Sequence, residues 1–382
     1  MKNFIYQNPT KLIFGKGQIE RLSKELGRYG KRILWVYGGG TIKKTGIYEK
    51  ILDNLHDFEI FELSNVEPNP RVSSANNGIA IVKEHNIDVI LAVGGGSVID
   101  CSKLIAAAAY YEGDAWDVVI GKHKPTKALP FGTILTISAT GSEMNMFSVI
   151  TNENTQEKFD WASPLVYPKF SILDPSYTFT LPTKQTINGI VDSMSHLLEQ
   201  YFNEVKNTPL QDAMIEGILR EIMIAAKEVL QNPQSYPARE TLMLGATLGL
   251  NGYMSWGYSG DWATHMIEHA ISAVYDIAHA EGLAIIMPNW MTYVMPNHVT
   301  RFAKFGRNVF NLSGEDYKVA KESIKQLREF WSSIGAPTKL SNQNITNEHI
   351  KKMANHATIN GTIGNLEKLD FNDVKKILEM SL

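Results

Sequence analysis

The chain has 382 residues, of which 44% are hydrophobic and 20% are charged, with a formal net charge of −3 and a pI near 6.4. These values are typical of a folded protein with two domains, and they exclude a disordered chain, a nucleic-acid groove and a polybasic membrane anchor. Cys101 is the only cysteine, which excludes an intramolecular disulfide and a thiolate-rich zinc site.

The amino terminus and the apolar runs predict the location of the protein. Polar residues and a proline interrupt residues 1–9, which is not the pattern of a signal peptide. No apolar run approaches the length that crosses a membrane. With the single cysteine, these features predict a cytoplasmic protein.

Strands alternate with helices in the first part of the chain. We expect strands at residues 11–14, 32–37, 59–63, 87–93, 135–138 and 170–173, and helices at 18–26, at 48–55, through 81–82 and from 96 to about 109. This alternation predicts an α/β domain with a Rossmann-like, doubly wound parallel sheet.

Helical periodicity dominates the second part of the chain. We expect helices at residues 187–202, 209–230, 239–253, 263–274 and 282–293, with further helices towards residue 382. The boundary is placed near Leu181. Residues 1–181 are predicted to form the dinucleotide-binding α/β domain, and residues 182–382 an all-α domain that binds metal and substrate.

Two glycine triplets follow predicted strands. Gly95 and Gly96, followed by Ser97, open a helix, where backbone N–H groups and the helix dipole favour an anion such as a pyrophosphate. Ser97 is expected to cap this helix as well. A tight strand-to-helix turn without a ligand is the alternative, and the usual G-x-G-x-x-G fingerprint is absent.

The earlier triplet bears on which nicotinamide cofactor is used. Gly38, Gly39 and Thr41 occupy the place where many NAD enzymes carry an acidic residue that binds the ribose 2′-hydroxyl. Two lysines follow, Lys43 and Lys44. This pattern favours NADP over NAD, although lysines at a solvated helix start would look the same.

A run of small and hydroxyl residues follows the strand expected at 135–138. It extends from Thr136 through Thr140 to Glu143 and offers several donors for a phosphate or a ribose. An ordinary polar loop is the alternative interpretation.

Histidines and one aspartate form a discontinuous pattern in the helical part. Asp192 and His196 are four residues apart, as are His265 and His269, so each pair shares a helix face, and His279 follows. Imidazoles combined with a carboxylate are the ligands of a divalent transition metal. Core histidines with ordinary hydrogen bonds are the alternative.

Together these segments resemble the iron-containing (group III) alcohol dehydrogenase family, in particular its NADPH-dependent butanol dehydrogenase and aldehyde reductase branch. The resemblance covers essentially the whole chain. It depends on the motifs at residues 68–70, 94–97, 139–143 and 173–175, the Asp192/His196 pair, and His265, His269 and His279.

The resemblance implies roles for individual residues. Asp192, His196, His265 and His279 would bind the metal, Fe²⁺ or Zn²⁺. His269 would lie near the nicotinamide and help to move the alcohol proton. The cofactor would be held by Gly95, Gly96, Ser97, Asn69, Thr136, Thr140 and Lys158. Ala280 departs from the glycine that many members carry after the last ligand.

The predicted function is hydride transfer between NADP(H) and an aldehyde or primary alcohol, in a homodimer with no nucleic-acid or membrane partner. The aromatic segment 253–262 is expected to line an apolar substrate pocket or to form core or dimer contacts. A polyol dehydrogenase and a lyase similar to dehydroquinate synthase are the rival enzymes. A dinucleotide-binding protein with structural histidines is the non-enzymatic alternative.

Overall fold

The computed structural model describes residues 1–205 and 207–382, and Thr41 by its backbone alone. The chain divides into two compact units. We name them the α/β unit (residues Gln7–Leu181 and Pro233–Met243) and the helical unit (Met1–Tyr6, Pro182–Asn232 and Leu244–Leu382). The chain therefore passes from one unit to the other at residues 181/182, and also after residue 6 and around residues 233–243.

The α/β unit contains a six-stranded parallel sheet in the order β1-β8-β5-β4-β2-β3 and a β6–β7 antiparallel hairpin. Its strands are β1 Lys11–Phe14, β2 Arg32–Tyr37, β3 Glu59–Leu63, β4 Val89–Gly94, β5 Phe131–Leu135, β6 Phe147–Asn152, β7 Glu157–Ala162 and β8 Phe170–Leu173. Its helices are α1 Leu22–Leu26, α2 Thr41–Lys44, α3 Ile47–Asn54, α4 Val72–His85, α5 Gly96–Ala108 and α6 Trp116–Val119.

The central strands are almost entirely apolar because both faces of the sheet are covered. Alternate residues of β2 enter two different cores: Leu34 joins the one that contains α4 and α5, and Trp35 joins the one that contains α1 and α3. The parallel doubly wound sheet is therefore confirmed.

The order of the strands also identifies where a ligand should bind. From β2 the chain moves outwards to the edge strand β3, and from β4 it moves in the opposite direction to β5. The neighbours β2 and β4 thus flank the point at which the winding reverses, and ligands of such sheets bind beyond the carboxyl ends of the strands at that point. The glycine turns of residues 38–40 and 95–96 both begin there.

One predicted strand is misplaced. The structure places β5 at Phe131–Leu135 rather than at residues 135–138, because its neighbour β4 ends at Gly94, which pairs with Leu135. Thr136 and Thr140 consequently lie in the loop that follows. The hairpin of β6 and β7 was not predicted.

The named elements that lie wholly in the helical unit are all helical, as predicted. They are α7 Thr183–Tyr201, α8 Pro209–Gln231, α10 Ala263–Tyr275, α11 His279–Val294, α12 Val299–Phe310, α13 Asp316–Ser333, α14 Ile350–Ala357 and α15 Phe371–Met380, with short 3-10 turns between them. Helix α9, Tyr236–Gly249, begins in one unit and ends in the other. Within residues 1–205 and 207–382, no helix combines the length and apolar character needed to cross a membrane.

Candidate functional site

Three helices of the helical unit bring the predicted metal ligands together. Asp192 and His196 lie on α7, His265 lies in the first turn of α10, and His279 is the first residue of α11. Asp192, His265 and His279 each present one ligand atom within 4.8 Å of the others. His196 is not part of that group, but its Nε2 lies 3.9 Å from Asp192 Oδ1, and His279 Nε2 lies 3.7 Å from the same oxygen.

The protonation and hydrogen bonding of these side chains fit a metal ion. Burial, and then repulsion by His265 and His279, hold the pKa of His196 well below its usual value, so its imidazole is neutral and has a lone pair to donate. His265 Nε2 is buried without a hydrogen-bond partner among the described residues. A buried nitrogen without a partner is costly unless a ligand satisfies it.

Glu199 holds His265, one of the predicted ligands, and was not among the residues predicted from the sequence. Its carboxylate is fully buried on α7 and its Oε1 accepts hydrogen bonds from His265 Nδ1 (2.9 Å), the His265 amide (3.2 Å) and Thr264 Oγ1 (2.5 Å). With Nδ1 bonded to Glu199, it is Nε2 of His265 that remains to meet a metal. Glu199 follows His196 by three residues, and this helical spacing was the signal that could have found it.

Glu268 makes the equivalent contact to His279. It is fully buried on α10, and its Oε2 is bonded to His279 Nδ1 while Ser272 Oγ donates to its Oε1. Helix α11 passes so close that a Cβ at Gly282 would lie 2.6 Å from Glu268 Cγ. Glu268 follows His265 by three residues, which is again a helical spacing.

His269 lies beside the cluster of predicted ligands. It is buried one turn after His265 on α10, and its ring centroid is 5.4 Å from that of His279. It also forms a group of potential metal-binding atoms with Glu268 and His279. Because Glu268 is already bonded to His279, we interpret His269 as a neighbour of the ligand set rather than as a member of it.

The aromatic segment expected to line a pocket divides into two parts. The half-buried Trp262 ring lies 5.2 Å from the His265 ring and 6.2 Å from that of His196, between centroids. Tyr253 and Trp256 instead pack against each other, and Trp256 also contacts the rings of Phe4 and Tyr6 near the amino terminus. Trp262 is therefore the residue of this segment that we place at the candidate site.

The glycine turn of the α/β unit leads directly into α5. Gly95 is the N-cap of this helix and no side chain caps it, so the first backbone N–H groups are available to an anion. The expectation that Ser97 caps the helix is wrong, because Ser97 is already the second helical residue. A Cβ at Gly96 would lie 2.4 Å from Thr140 Cγ2, which requires glycine at this position.

Buried polar groups hold the Thr140 loop against α5. Lys103 is fully buried and donates to Ser142 Oγ (2.7 Å), Asn145 Oδ1 (2.9 Å) and the Phe147 carbonyl (2.6 Å). Ser142 Oγ in turn donates to Asp100 Oδ1 (2.5 Å). Burial lowers the pKa of Lys103 to about 8. The hydroxyl-rich loop is thus fixed by the same helix whose N-terminus faces the glycine turn.

The remaining predicted cofactor residues also lie in the α/β unit. Lys158 Nζ donates to Asn69 Oδ1 at 2.9 Å, both residues are buried, and Asn69 has a left-handed backbone with φ 52°. Gly38 and Gly39 directly follow β2. Thr41 begins α2, and its side chain lies outside what the structure describes.

Glu62, another residue that was not predicted from the sequence, lies on the strand next to β2. It is on β3, and its two carboxylate oxygens accept hydrogen bonds from the hydroxyls of Tyr37 and Tyr48, each at 2.5 Å. Both phenol pKa values are raised to about 12, by burial and then this bond in Tyr37, and by this bond and then burial in Tyr48. Lys43 Nζ lies 4.6 Å from the Tyr48 ring centroid. The carboxylate of Glu62 is therefore already bonded to two hydroxyls.

Comparisons with known proteins agree across the whole chain. A family model described as iron-containing alcohol dehydrogenase matches residues 9–175, and one described as its Fe-containing, C-terminal part matches residues 186–382. The chain is 54% identical to the probable NADH-dependent butanol dehydrogenase 1 of Bacillus subtilis, with 100% of both chains covered. It is 37% identical to the NADPH-dependent aldehyde reductase YqhD of Escherichia coli, with 93% of this chain and 94% of YqhD covered.

A solved structure has the same fold. The crystal structure of NADH-dependent butanol dehydrogenase A from Thermotoga maritima superimposes with a TM-score of 0.97 at 41% sequence identity, covering 100% of this chain and 99% of that one.

Proposed function

Because the chain belongs to the iron-containing alcohol dehydrogenase family, we propose that it transfers hydride between NADP(H) and an aldehyde/primary alcohol pair. It is an alcohol/aldehyde oxidoreductase, and the family implies a nicotinamide cofactor and iron. The observation that carries this proposal is the convergence of Asp192, His265 and His279 within 4.8 Å. We assign Asp192, His196, His265 and His279 as the ligands of one divalent metal, Fe²⁺ or Zn²⁺.

The ligands and their neighbours divide the chemistry between them. When bound, the metal supplies an electrophile that polarises the substrate oxygen. Asp192 contributes the negative charge that a dication requires, and the neutral His196 contributes a lone pair. His269, buried beside His279, would in its protonated form give a proton to the oxygen of the reduced substrate and so complete the alcohol, and it would take that proton back in the reverse reaction.

The preference for NADP(H) is supported by the charges beyond β2. No Asp or Glu occurs between Tyr37 and Tyr48 in the sequence. Glu62, on the neighbouring strand β3, already accepts hydrogen bonds from two phenol hydroxyls and is less able to bind a ribose 2′-hydroxyl. Lys43, held over the Tyr48 ring, adds a positive charge that favours a 2′-phosphate.

Aldehydes are favoured over phosphorylated substrates by the composition around the ligands. No Lys or Arg occurs between Arg239 and Arg301, the segment that carries His265 and His279. A lyase similar to dehydroquinate synthase must hold a substrate phosphate with basic side chains. The Trp262 ring beside His265 is suited to an apolar substrate instead.

The test is the oxidation of NADPH and of NADH with butanal, before and after chelation and re-addition of Fe²⁺ or Zn²⁺. We expect turnover that chelation abolishes, that either metal restores and that is faster with NADPH. Faster turnover with NADH, the cofactor in the names of the Bacillus and Thermotoga relatives, would overturn the cofactor preference and leave the reaction standing. The absence of turnover with every metal would overturn the reaction.

Two lysine variants separate the cofactor argument from general charge effects. Lys43→Ala is expected to raise the KM for NADPH about tenfold while the KM for NADH changes little, because one ion pair to a phosphate is worth on the order of 1 kcal/mol or more. Lys50→Ala removes another exposed lysine, from the next helix, α3, and should change neither constant. Equal effects of the two variants would contradict the assignment of Lys43.

A further inference from the structure

We propose that Glu199 and Glu268 are positioning residues that fix the orientation and tautomer of two metal ligands and so set the affinity of the metal site. This inference rests on the proposed function, since it concerns the same ligands. Each carboxylate reaches from one helix to a histidine at the start of the next: Glu199 on α7 holds His265 on α10, and Glu268 on α10 holds His279 on α11.

The contacts of Glu199 leave His265 a single orientation. Its Oε1 accepts hydrogen bonds from both the ring Nδ1 and the backbone N–H of His265. The carboxylate therefore fixes the side chain and the backbone of the same residue. Its Oε2 accepts the backbone N–H of Trp262 at 2.6 Å, and Trp262 has a left-handed backbone with φ 68°. A bulky residue adopts that backbone only where its surroundings impose it. Glu199 thus also fixes the turn that delivers His265.

The contacts of Glu268 act in the same way on His279. The carboxylate is 0% exposed, Ser272 Oγ donates to one oxygen, and His279 Nδ1 is bonded to the other. Gly282 lies one turn after His279 on α11 and leaves room for the Glu268 side chain. The ring of His279 is therefore held so that Nε2, the atom 3.7 Å from Asp192 Oδ1, faces the ligand cluster.

The physical consequence is electrostatic as well as geometric. A neutral imidazole whose Nδ1–H is donated to a carboxylate must carry its lone pair on Nε2, and the negative charge makes that lone pair a stronger donor. With Asp192, the two glutamates also place three carboxylates around a site assigned to a dication. His196 differs, because its Nδ1 has no such partner among the described residues.

The test compares Glu199→Gln and Glu268→Gln with the wild-type protein. Glutamine keeps the size of the side chain but removes its charge. At residue 199 its amide NH₂ is expected to face the Trp262 N–H, so that two donors would lie opposite each other. We expect the affinity for Zn²⁺, measured by competition with a chromophoric chelator, to fall about 10–100-fold in each variant. The visible absorption of the Co²⁺-substituted protein should shift in both, since the field of the ligands changes.

Matched controls separate this role from general damage. Glu216→Gln alters a buried glutamate of the same unit that bonds to Tyr201 and Asn308, not to a histidine, and should leave the Zn²⁺ affinity and the Co²⁺ spectrum unchanged. Gly282→Ala pushes on the Glu268 side chain without changing its chemistry and should weaken Zn²⁺ binding. Gly217→Ala, on α8 with nothing closer than 4.0 Å to the added Cβ, should not.

The outcomes are distinguishable. Wild-type Zn²⁺ affinity and an unchanged Co²⁺ spectrum in folded Glu199→Gln and Glu268→Gln would overturn this inference while leaving the proposed function intact. Equal losses in Glu216→Gln would overturn it as well, because any buried carboxylate would then have the same effect. A wild-type protein that binds no divalent metal would overturn the proposed function together with this inference.

Discussion

The candidate sites of the two units differ in the chemical groups that form them. In the helical unit the site consists of side chains, with ligands and buried carboxylates contributed by α7, α10 and α11. In the α/β unit it consists mainly of backbone, with N–H groups at the start of α5 and glycines that allow Thr140 to approach. A site made of side chains should lose binding when a functional group is removed. A site made of backbone should lose binding when a side-chain atom is added to one of its glycines.

The largest effect is expected from Asp192→Asn. It removes the only carboxylate that we assign as a ligand, and the loss of electrophilic stabilisation worth several kcal/mol should lower kcat/KM for butanal about 10³-fold or more. Metal content, measured by atomic emission, should fall with it. Asp316→Ala, at a surface ion pair of the same unit, is the control. Retained activity in metal-free Asp192→Asn would contradict the side-chain site.

His269→Asn should have the next largest effect. Loss of a positioned proton donor is expected to lower kcat about 10²-fold, because general acid catalysis is typically worth that factor. Bound metal should remain at the wild-type level, since His269 is not assigned as a ligand. Loss of metal together with activity would instead make His269 a ligand.

Gly96→Ala tests the backbone site. The added Cβ would lie 2.4 Å from Thr140 Cγ2 and would push the hydroxyl loop away from the N-terminus of α5, so the KM for NADPH should rise about tenfold with an unchanged metal content. Gly39→Ala meets nothing within 4 Å and should fold like the wild type. Any rise in KM in Gly39→Ala therefore reports the approach of the cofactor itself. A wild-type KM for NADPH in Gly96→Ala would contradict the assignment of the N-terminus of α5 as a cofactor site.

Lys103 is expected to affect turnover least, and its signature is the pH dependence of stability. Burial lowers its pKa in the folded protein to about 8, whereas in the unfolded chain it stays near 10.5, so the unfolded state binds more protons between these values. The free energy of unfolding should therefore rise with pH by about 2 kcal/mol between pH 7 and 9.5, relative to Lys103→Met. Parallel pH curves for the two proteins, from denaturant titrations, would show that Lys103 does not titrate there.

Local patterns in the sequence were sufficient for most elements. The strands Lys11–Phe14, Arg32–Tyr37, Glu59–Leu63 and Phe170–Leu173 were predicted to the residue, because each is a short segment rich in apolar residues that ends at a glycine or polar turn. The strand at Phe131–Leu135 was misplaced because pairing with β4 determines where it ends. No single run of residues contains that information.

The same division applies to the sites. Spacing along the helices predicted the pairs Asp192/His196 and His265/His269, and glycine chemistry predicted the turn before α5. Only the tertiary structure showed that Glu199, Glu268 and Glu62 have histidine or tyrosine partners, since those partners are between 11 and 66 residues away. Burial requires that a carboxylate in an apolar segment has a hydrogen-bond donor, but the local sequence does not specify which residue donates. The role of such a carboxylate is therefore known only when the folded structure shows its partner.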